Sequence, residues 1–184
     1  MKKALIIGSN GSEEIELIIT SDILRCSGID VTIAGLQDDP MIICSRKTKL
    51  QVDSLFKEIA EHLFDAVILP GGQPGSHHLS EDKRVGTLLR HHEQEGKIIA
   101  AICAAPLALA SHHIAIGGKL TTHDSIRAKM ESAGYLYSEE PVCVWKNIVT
   151  SRGPGTAFAF ALKLVELLIH VQKSKEIGKA MLVY

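Results

Sequence analysis

The chain has 184 residues, with 20 Lys+Arg against 21 Asp+Glu and a formal net charge of −1. That balance excludes a basic nucleic-acid-binding field, 46% hydrophobic against 22% charged residues excludes disorder as the main state, and 4% aromatics leaves few platforms for stacking bases. The length fits a single domain over residues 1–184, large enough to bury roughly 70% of its unfolded surface without disulfide staples.

Residues 3–8 (KALIIG) read as a buried strand ending in glycine, and Ser12-Glu13-Glu14 then offers an N-cap with acids that suit a helix dipole. The helix runs to about Cys26, stops before Gly28, and is followed by a β-branched strand at 29–34, completing a βαβ unit. A polar turn at 37–40 leads to a short hairpin from Met41 through Val52, a weak helix at 54–62 and a strand at 66–69 that ends in Pro70-Gly71-Gly72. Ser80 is expected to cap a polar helix ending near Gly96. The run 97–102 is a strand buried on both faces, Cys103 sits at its end, and 104–111 is a helix. Then come a strand at 119–122, a helix at 125–133, strands at 142–145 and 148–150 around Lys146-Asn147, a long helix from Thr156 to about Val171 and a short one at 174–179. This alternation predicts a doubly wound α/β sandwich with a mostly parallel sheet, whose ligands bind at the carboxyl ends of the strands.

No segment spans a membrane: the longest apolar run, 98–110, contains Pro106 and is shorter than the roughly 18 residues required. The apolar patch after Lys2-Lys3 ends at Gly8, too short for a signal-peptide core, so a cytoplasmic protein is expected. Cys26, Cys44, Cys103 and Cys143 form no CxxC or zinc spacing and are expected as free thiols. The pairs His77-His78, His91-His92 and His112-His113 read as solvated rather than as metal ligands, since adjacent helical residues diverge by roughly 100°. No phosphate-binding glycine motif follows the first strand.

Cys103 is the strongest chemical candidate. Its neighbours Ala100, Ala101, Ala104 and Ala105 permit a tight strand-to-helix elbow, and the following helix N-terminus favours thiolate. The alternative is a small buried hydrophobe. On a helical wheel, Ile15, Ile18, Ile19, Ile23 and Cys26 form the expected core face of the first helix, with Asp22 inside the arc and Glu16 at its edge. Glu16 is then either a carboxylate that needs a partner or an ordinary first-turn acid. Leu17 and Leu24 form a second strip, expected to face a partner subunit. Gly71-Gly72 supplies either an oxyanion-hole N–H or merely a turn. His123, after a strand, is placed to reach the crevice of Cys103 as base or proton shuttle.

Together, Glu13-Glu14-Ile15-Glu16, Cys44-Ser45-Arg46, Leu69-Pro70-Gly71-Gly72, Ala100-Ala101-Ile102-Cys103-Ala104-Ala105-Pro106, Thr121-Thr122-His123 and Thr150-Ser151-Arg152-Gly153-Pro154-Gly155-Thr156, in that order, resemble the ThiJ/PfpI superfamily in its deglycase branch. The resemblance covers nearly the whole chain. It implies a flavodoxin-like sandwich, usually a homodimer, with Cys103 as nucleophile and a protonated Glu16 bonded to it. Gly72 and Ala104 match the backbone donors, His123 the nearby histidine, and Asp22 an acid that orients that histidine across the dimer. Gly71, Arg46 and Arg152 are supporting residues. The implied activity is a cofactor-free, metal-free conversion of methylglyoxal, glyoxal or their thiol and amine adducts to hydroxy acids. Its rivals are a redox sensor or chaperone acting through Cys103 oxidation, and a peptidase. The peptidase branch has histidine after the nucleophile where this chain has Ala104, which counts against proteolysis.

Overall fold

The computed structural model describes residues 1–183. Chain order runs β1 (Lys3–Gly8), α1 (Glu14–Cys26), β2 (Asp30–Gly35), β3 (Met41–Ile43), β4 (Lys49–Gln51), β5 (Ser54–Leu55), α2 (Phe56–Ile59), β6 (Ala66–Leu69), α3 (Gly75–Glu81) and α4 (Lys83–Gln94). It continues through β7 (Ile98–Ile102), α5 (Pro106–Ser111), β8 (Lys119–Leu120), a 3-10 turn (Asp124–Ile126), α6 (Arg127–Ser132), β9 (Leu136–Tyr137), β10 (Val142–Trp145) and β11 (Ile148–Ser151). A second 3-10 turn (Pro154–Thr156), α7 (Ala157–Leu168) and α8 (Val171–Ala180) complete it.

Seven strands form one sheet in the order β10-β11-β7-β6-β1-β2-β5, parallel except for the β10–β11 hairpin. The inner order β2-β1-β6-β7-β11 is the flavodoxin-like winding. Strand periodicity of two explains the continuous apolar runs. Ala4, Ile6, Ala66, Ile68, Ala100 and Ile102 point into one core with Phe160 and Leu164 of α7; Leu5, Ile7, Val67, Leu69, Ile99 and Ala101 point into the other with Leu88 and Leu109. Phe160 is wholly buried, and truncating it to Ala should cost roughly 3–5 kcal/mol. No helix among the described residues is long and apolar enough to cross a membrane.

Three expectations about helices change. The segment 54–62 is a short strand followed by the single turn α2. The helix expected to start at Ser80 is two helices broken at Asp82, whose carboxylate caps α4 by accepting from the Arg84 N–H at 2.9 Å, while Ser80 lies inside α3 and bonds back to the Ser76 carbonyl. The last long helix stops at Leu168, and the His170 ring caps α8 by accepting from the Lys173 N–H at 3.1 Å.

The first helix is rotated from its expected setting. Glu16, Leu17, Thr20, Ile23 and Leu24 are buried against the sheet and α7, whereas Ile15 (47% exposed), Ile18 (43% exposed), Asp22 and Cys26 face outward. Leu17 and Leu24 therefore belong to the core, and the outer apolar strip is Ile15 and Ile18. Both arcs are apolar, so hydrophobicity alone does not choose between them; the hydrogen bonding of Glu16 favours the observed setting.

Candidate active site

Cys103 follows β7 directly and takes φ 65°, in the left-handed region that non-glycine residues enter at a cost of about 1–3 kcal/mol. Its backbone is held from both sides: its N–H donates to the Ser151 carbonyl (3.0 Å) and its carbonyl accepts from the His123 N–H (2.9 Å). Neighbouring β11 and the segment after β8 thus over-determine the elbow.

Glu16 reaches the elbow from the first turn of α1, which Glu13 caps by accepting from the Glu16 N–H at 2.9 Å, a role expected for Ser12. The wholly buried Glu16 carboxylate accepts from the Gly71 N–H at 2.7 Å through Oε2, while Oε1 is buried without a partner of its own. Gly71 has no alternative at this position. A Cβ there would lie 2.6 Å from Cys103 Cβ and 2.7 Å from Glu16 Oε2. Gly72 takes φ +89° against the backbone of Gly11 and Glu13, again a glycine position.

Electrostatics make Glu16 and Cys103 one unit. Burial pushes the Glu16 carboxyl up to about 7, against hydrogen bonds from the Gly71 N–H and the Cys103 thiol that favour its charge. Burial, followed by the charge of Glu16, pushes the Cys103 thiol up to about 12, while the N–H groups of Ala104 and Gly72 pull it down. Two anions in contact are disfavoured here, so the pair shares at most one charge near neutrality. Burial and Glu16 thus oppose the thiolate that the backbone N–H groups of Ala104 and Gly72 favour.

A cavity of about 300 Å³ opens over the sulfur, lined by Glu13, Ser45, Arg46, Gly72, Gln73, Cys103, His123 and Pro154. The structure thus brings together Cys103, Glu16, Gly71, Gly72, Ala104, His123 and Arg46. Arg46 is carried by the β3–β4 hairpin, which Glu14 ties to α1: its carboxylate accepts from the Ser45 hydroxyl (3.0 Å), the Arg46 N–H (2.7 Å) and the Thr48 N–H (3.3 Å). Arg152 lines an adjoining cavity that shares His123, and its guanidinium is paired with Asp124 at 2.5 Å. Asp22 is not brought to the site of its own chain; it lies exposed on α1, where it accepts from the Cys26 thiol at 3.8 Å.

Two of the histidines expected to be solvated are instead structural. All four cysteines are free, and burial, then the charges of Glu14 and Glu13, push Cys44 up to about 11. His92 and His112 are buried, not solvated: His92 accepts from the Phe64 N–H (3.0 Å) and donates to the Leu88 carbonyl (2.8 Å), and His112 donates to the Leu79 carbonyl (2.9 Å). No group of three or more metal-ligating side chains gathers among the described residues. Sequence reasoning missed Glu14, Gln73 and Ser125. Glu14 stood in the same acidic turn as Glu16, but its partners are 31 to 34 residues away.

The model of the DJ-1/PfpI family matches residues 2–167. The chain belongs to the DJ-1/PfpI family. It is 44% identical over 183 residues to Protein dj-1beta of Drosophila melanogaster, covering 99% of this chain and 97% of that one. It is 38% identical over 179 residues to glutathione-independent glyoxalase DJR-1.2 of Caenorhabditis elegans, covering 97% and 95%. The crystal structure of Drosophila melanogaster DJ-1beta superposes with a TM-score of 0.96 over 98% of this chain and 97% of that chain. An oxidized Toxoplasma gondii DJ-1, 34% identical, gives 0.95 over 100% and 99%. Family membership and these superpositions accord with the flavodoxin-like sheet.

Proposed function

We propose that this chain is a cofactor-independent glyoxalase, acting on methylglyoxal, glyoxal or their thiol and amine adducts, with Cys103 as nucleophile. The observation that carries the reading is the contact of a buried, titrating Glu16 with a thiol held under the N–H groups of Gly72 and Ala104. The C. elegans relative is itself named a glutathione-independent glyoxalase.

A base whose midpoint lies near the working pH is suited to proton transfer. As the Cys103 sulfur bonds to the aldehyde carbon, its proton passes to the Glu16 carboxylate and the carbonyl oxygen becomes a hemithioacetal oxygen held by backbone N–H groups. Glu16 gives that proton to the hemithioacetal oxygen, and its carboxylate then takes the proton from the former aldehyde carbon and returns it to the adjacent carbon, while the hydroxyl proton of the first carbon ends on the oxygen of the second. The first carbon is oxidised and the second reduced within one molecule, so no external oxidant is needed. Water cleaves the resulting thioester to lactate and restores the thiol. Purified protein should form lactate from methylglyoxal without glutathione; no lactate above the buffer rate refutes the reading.

A second reading uses the same donors. Two molecules of peroxide would each add one oxygen to the Cys103 sulfur and leave as water, and the Gly72 and Ala104 N–H groups would hold the resulting sulfinate once its proton is lost. The protein would then report oxidative stress. We also propose a homodimer through the outward face of α1, where Ile15 and Ile18 are exposed, in place of Leu17 and Leu24. Ile15→Lys with Ile18→Lys should leave a folded monomer in sedimentation; a wild-type protein that already sediments as monomer overturns this.

A further inference from the structure

We infer that Ser125 is a positioning residue that holds His123 in the tautomer whose proton sits on Nε2, so that the ring offers the cavity a donor and not a base. The inference rests on the proposed glyoxalase reading for its consequence, but not for the tautomer itself. His123 precedes the 3-10 turn Asp124–Ile126, and its ring is the cap of that turn: the Ser125 N–H donates to Nδ1 at 3.2 Å. A backbone N–H can only donate, so Nδ1 must present its lone pair. The Ser125 hydroxyl lies 2.8 Å from the same nitrogen, and beside an unprotonated Nδ1 it too is the donor. Turning the ring by 180° would set a carbon against both groups and leave the N–H without a partner.

With Nδ1 committed, Nε2 is the one ring nitrogen left for a ligand, and the ring lines the cavity over Cys103. In the neutral ring that nitrogen carries the proton. The division of labour follows. Glu16 receives the thiol proton, and His123 donates to the second carbonyl oxygen of a dicarbonyl substrate, the oxygen that must gain a proton when the adjacent carbon is reduced. An acid oriented on His123 from a second protomer, as expected for Asp22, would have to accept from Nε2–H. The assignment differs from the sequence-based reading of His123 as base or shuttle, because a His-base for the thiol would need a bare Nε2.

The test reads the ring directly. Long-range proton–nitrogen correlation spectra of protein labelled with nitrogen-15 histidine, taken at about pH 8.5 where imidazoles are neutral, should show His123 protonated on Nε2, the signal being assigned by its loss in His123→Gln. In Ser125→Ala the N–H remains but the hydroxyl is gone, so the Nδ1 resonance should move. In the methylglyoxal assay kcat should fall roughly three- to tenfold with KM nearly unchanged, the loss of one neutral hydrogen bond, and Ser125→Thr should restore it. His123→Gln, which keeps an amide donor near the Nε2 position, should retain more activity than His123→Asn. A ring protonated on Nδ1 overturns the assignment, as does a Ser125→Ala protein identical to wild type in both spectrum and kcat. An Nε2–H ring in a protein that makes no lactate upholds the tautomer and refutes the proposed reaction, so the two failures are distinct.

Discussion

Two carboxylates at opposite ends of the same sheet have opposite fates. Asp65, just before β6, sits where the strands begin: burial tends to raise its pKa, but the Lys3 N–H (3.0 Å), Lys2 Nζ (3.2 Å) and Lys97 Nζ (3.3 Å) hold it below the usual range. Glu16, where the strands end, has the Gly71 N–H and the Cys103 thiol but no cation, an oxygen without a partner of its own, and a pKa pushed up to about 7 by burial. Asp65 is supplied with enough donors and cations to stay charged. Glu16 is deprived of them, and the deprivation is what lets it trade a proton with Cys103. The fold is thus stabilised at one end of the sheet and held under electrostatic and backbone strain at the other.

The largest expected effect comes from removing the group that Glu16 serves. Cys103→Ser should lower methylglyoxal conversion by roughly a thousandfold or more, the scale of losing a nucleophile, while Cys26→Ser, Cys44→Ser and Cys143→Ser stay near wild type in a lactate assay. Equal rates in Cys103→Ser would leave Glu16 as an expensive buried acid with no proton to move. Glu16→Gln comes next. It keeps the shape and an acceptor for the Gly71 N–H but abolishes the base, so kcat should fall by roughly a hundredfold or more. Wild-type kcat should rise with pH through about 7 as Glu16 loses its proton, and the variant should lack that limb.

Stability should respond to Glu16 in the opposite sense. Its carboxyl is raised from 4.5 to about 7 on folding, so its contribution is fully present below about pH 4.5 and is lost as pH rises through about 7. Urea titrations should therefore find Glu16→Gln close to wild type at pH 4.5 and more stable at pH 8.5, by at most about 3 kcal/mol. A variant that is no more stable at pH 8.5 would show that the carboxylate is solvated, and the contrast with Asp65 would collapse.

How much of this was legible in the sequence depends on whether the deciding contact is local. The β1–α1–β2 unit, the β7–Cys103 elbow and the β10–β11 hairpin follow from apolar runs punctuated by glycine or turn residues, and all were legible. The rotation of α1 was not, because its wheel carries two apolar arcs and the Gly71 N–H that Glu16 meets lies 55 residues away. The break at Asp82 was hidden by Ser80, which has the same capping chemistry two residues earlier. Sequence motifs and the family resemblance brought Cys103, Glu16, Gly72, Ala104 and His123 to attention. They did not reveal that Glu16 is wholly buried on the Gly71 N–H, nor that the Ser125 N–H and hydroxyl both lie against His123 Nδ1.

The smallest expected effect tests the quiet end of the sheet. In Asp65→Asn the amide oxygen can still accept from Lys3, but the charge facing Lys2 and Lys97 is gone. Lys2 is about half exposed, with 51% of its side chain accessible, so solvent screens that pair, and the loss should be only about 1 kcal/mol at pH 7 and low salt. The sign of its pH dependence is the reverse of that for Glu16. A carboxyl whose pKa falls on folding contributes stability above its unfolded value and loses it as pH falls through the folded one. The difference between wild type and Asp65→Asn should therefore shrink below about pH 4 and also shrink in added salt, while methylglyoxal conversion stays unchanged. If Asp65→Asn instead lowered kcat, the two ends of the sheet would be coupled, and the separation of a stabilising end from a reactive one would fail.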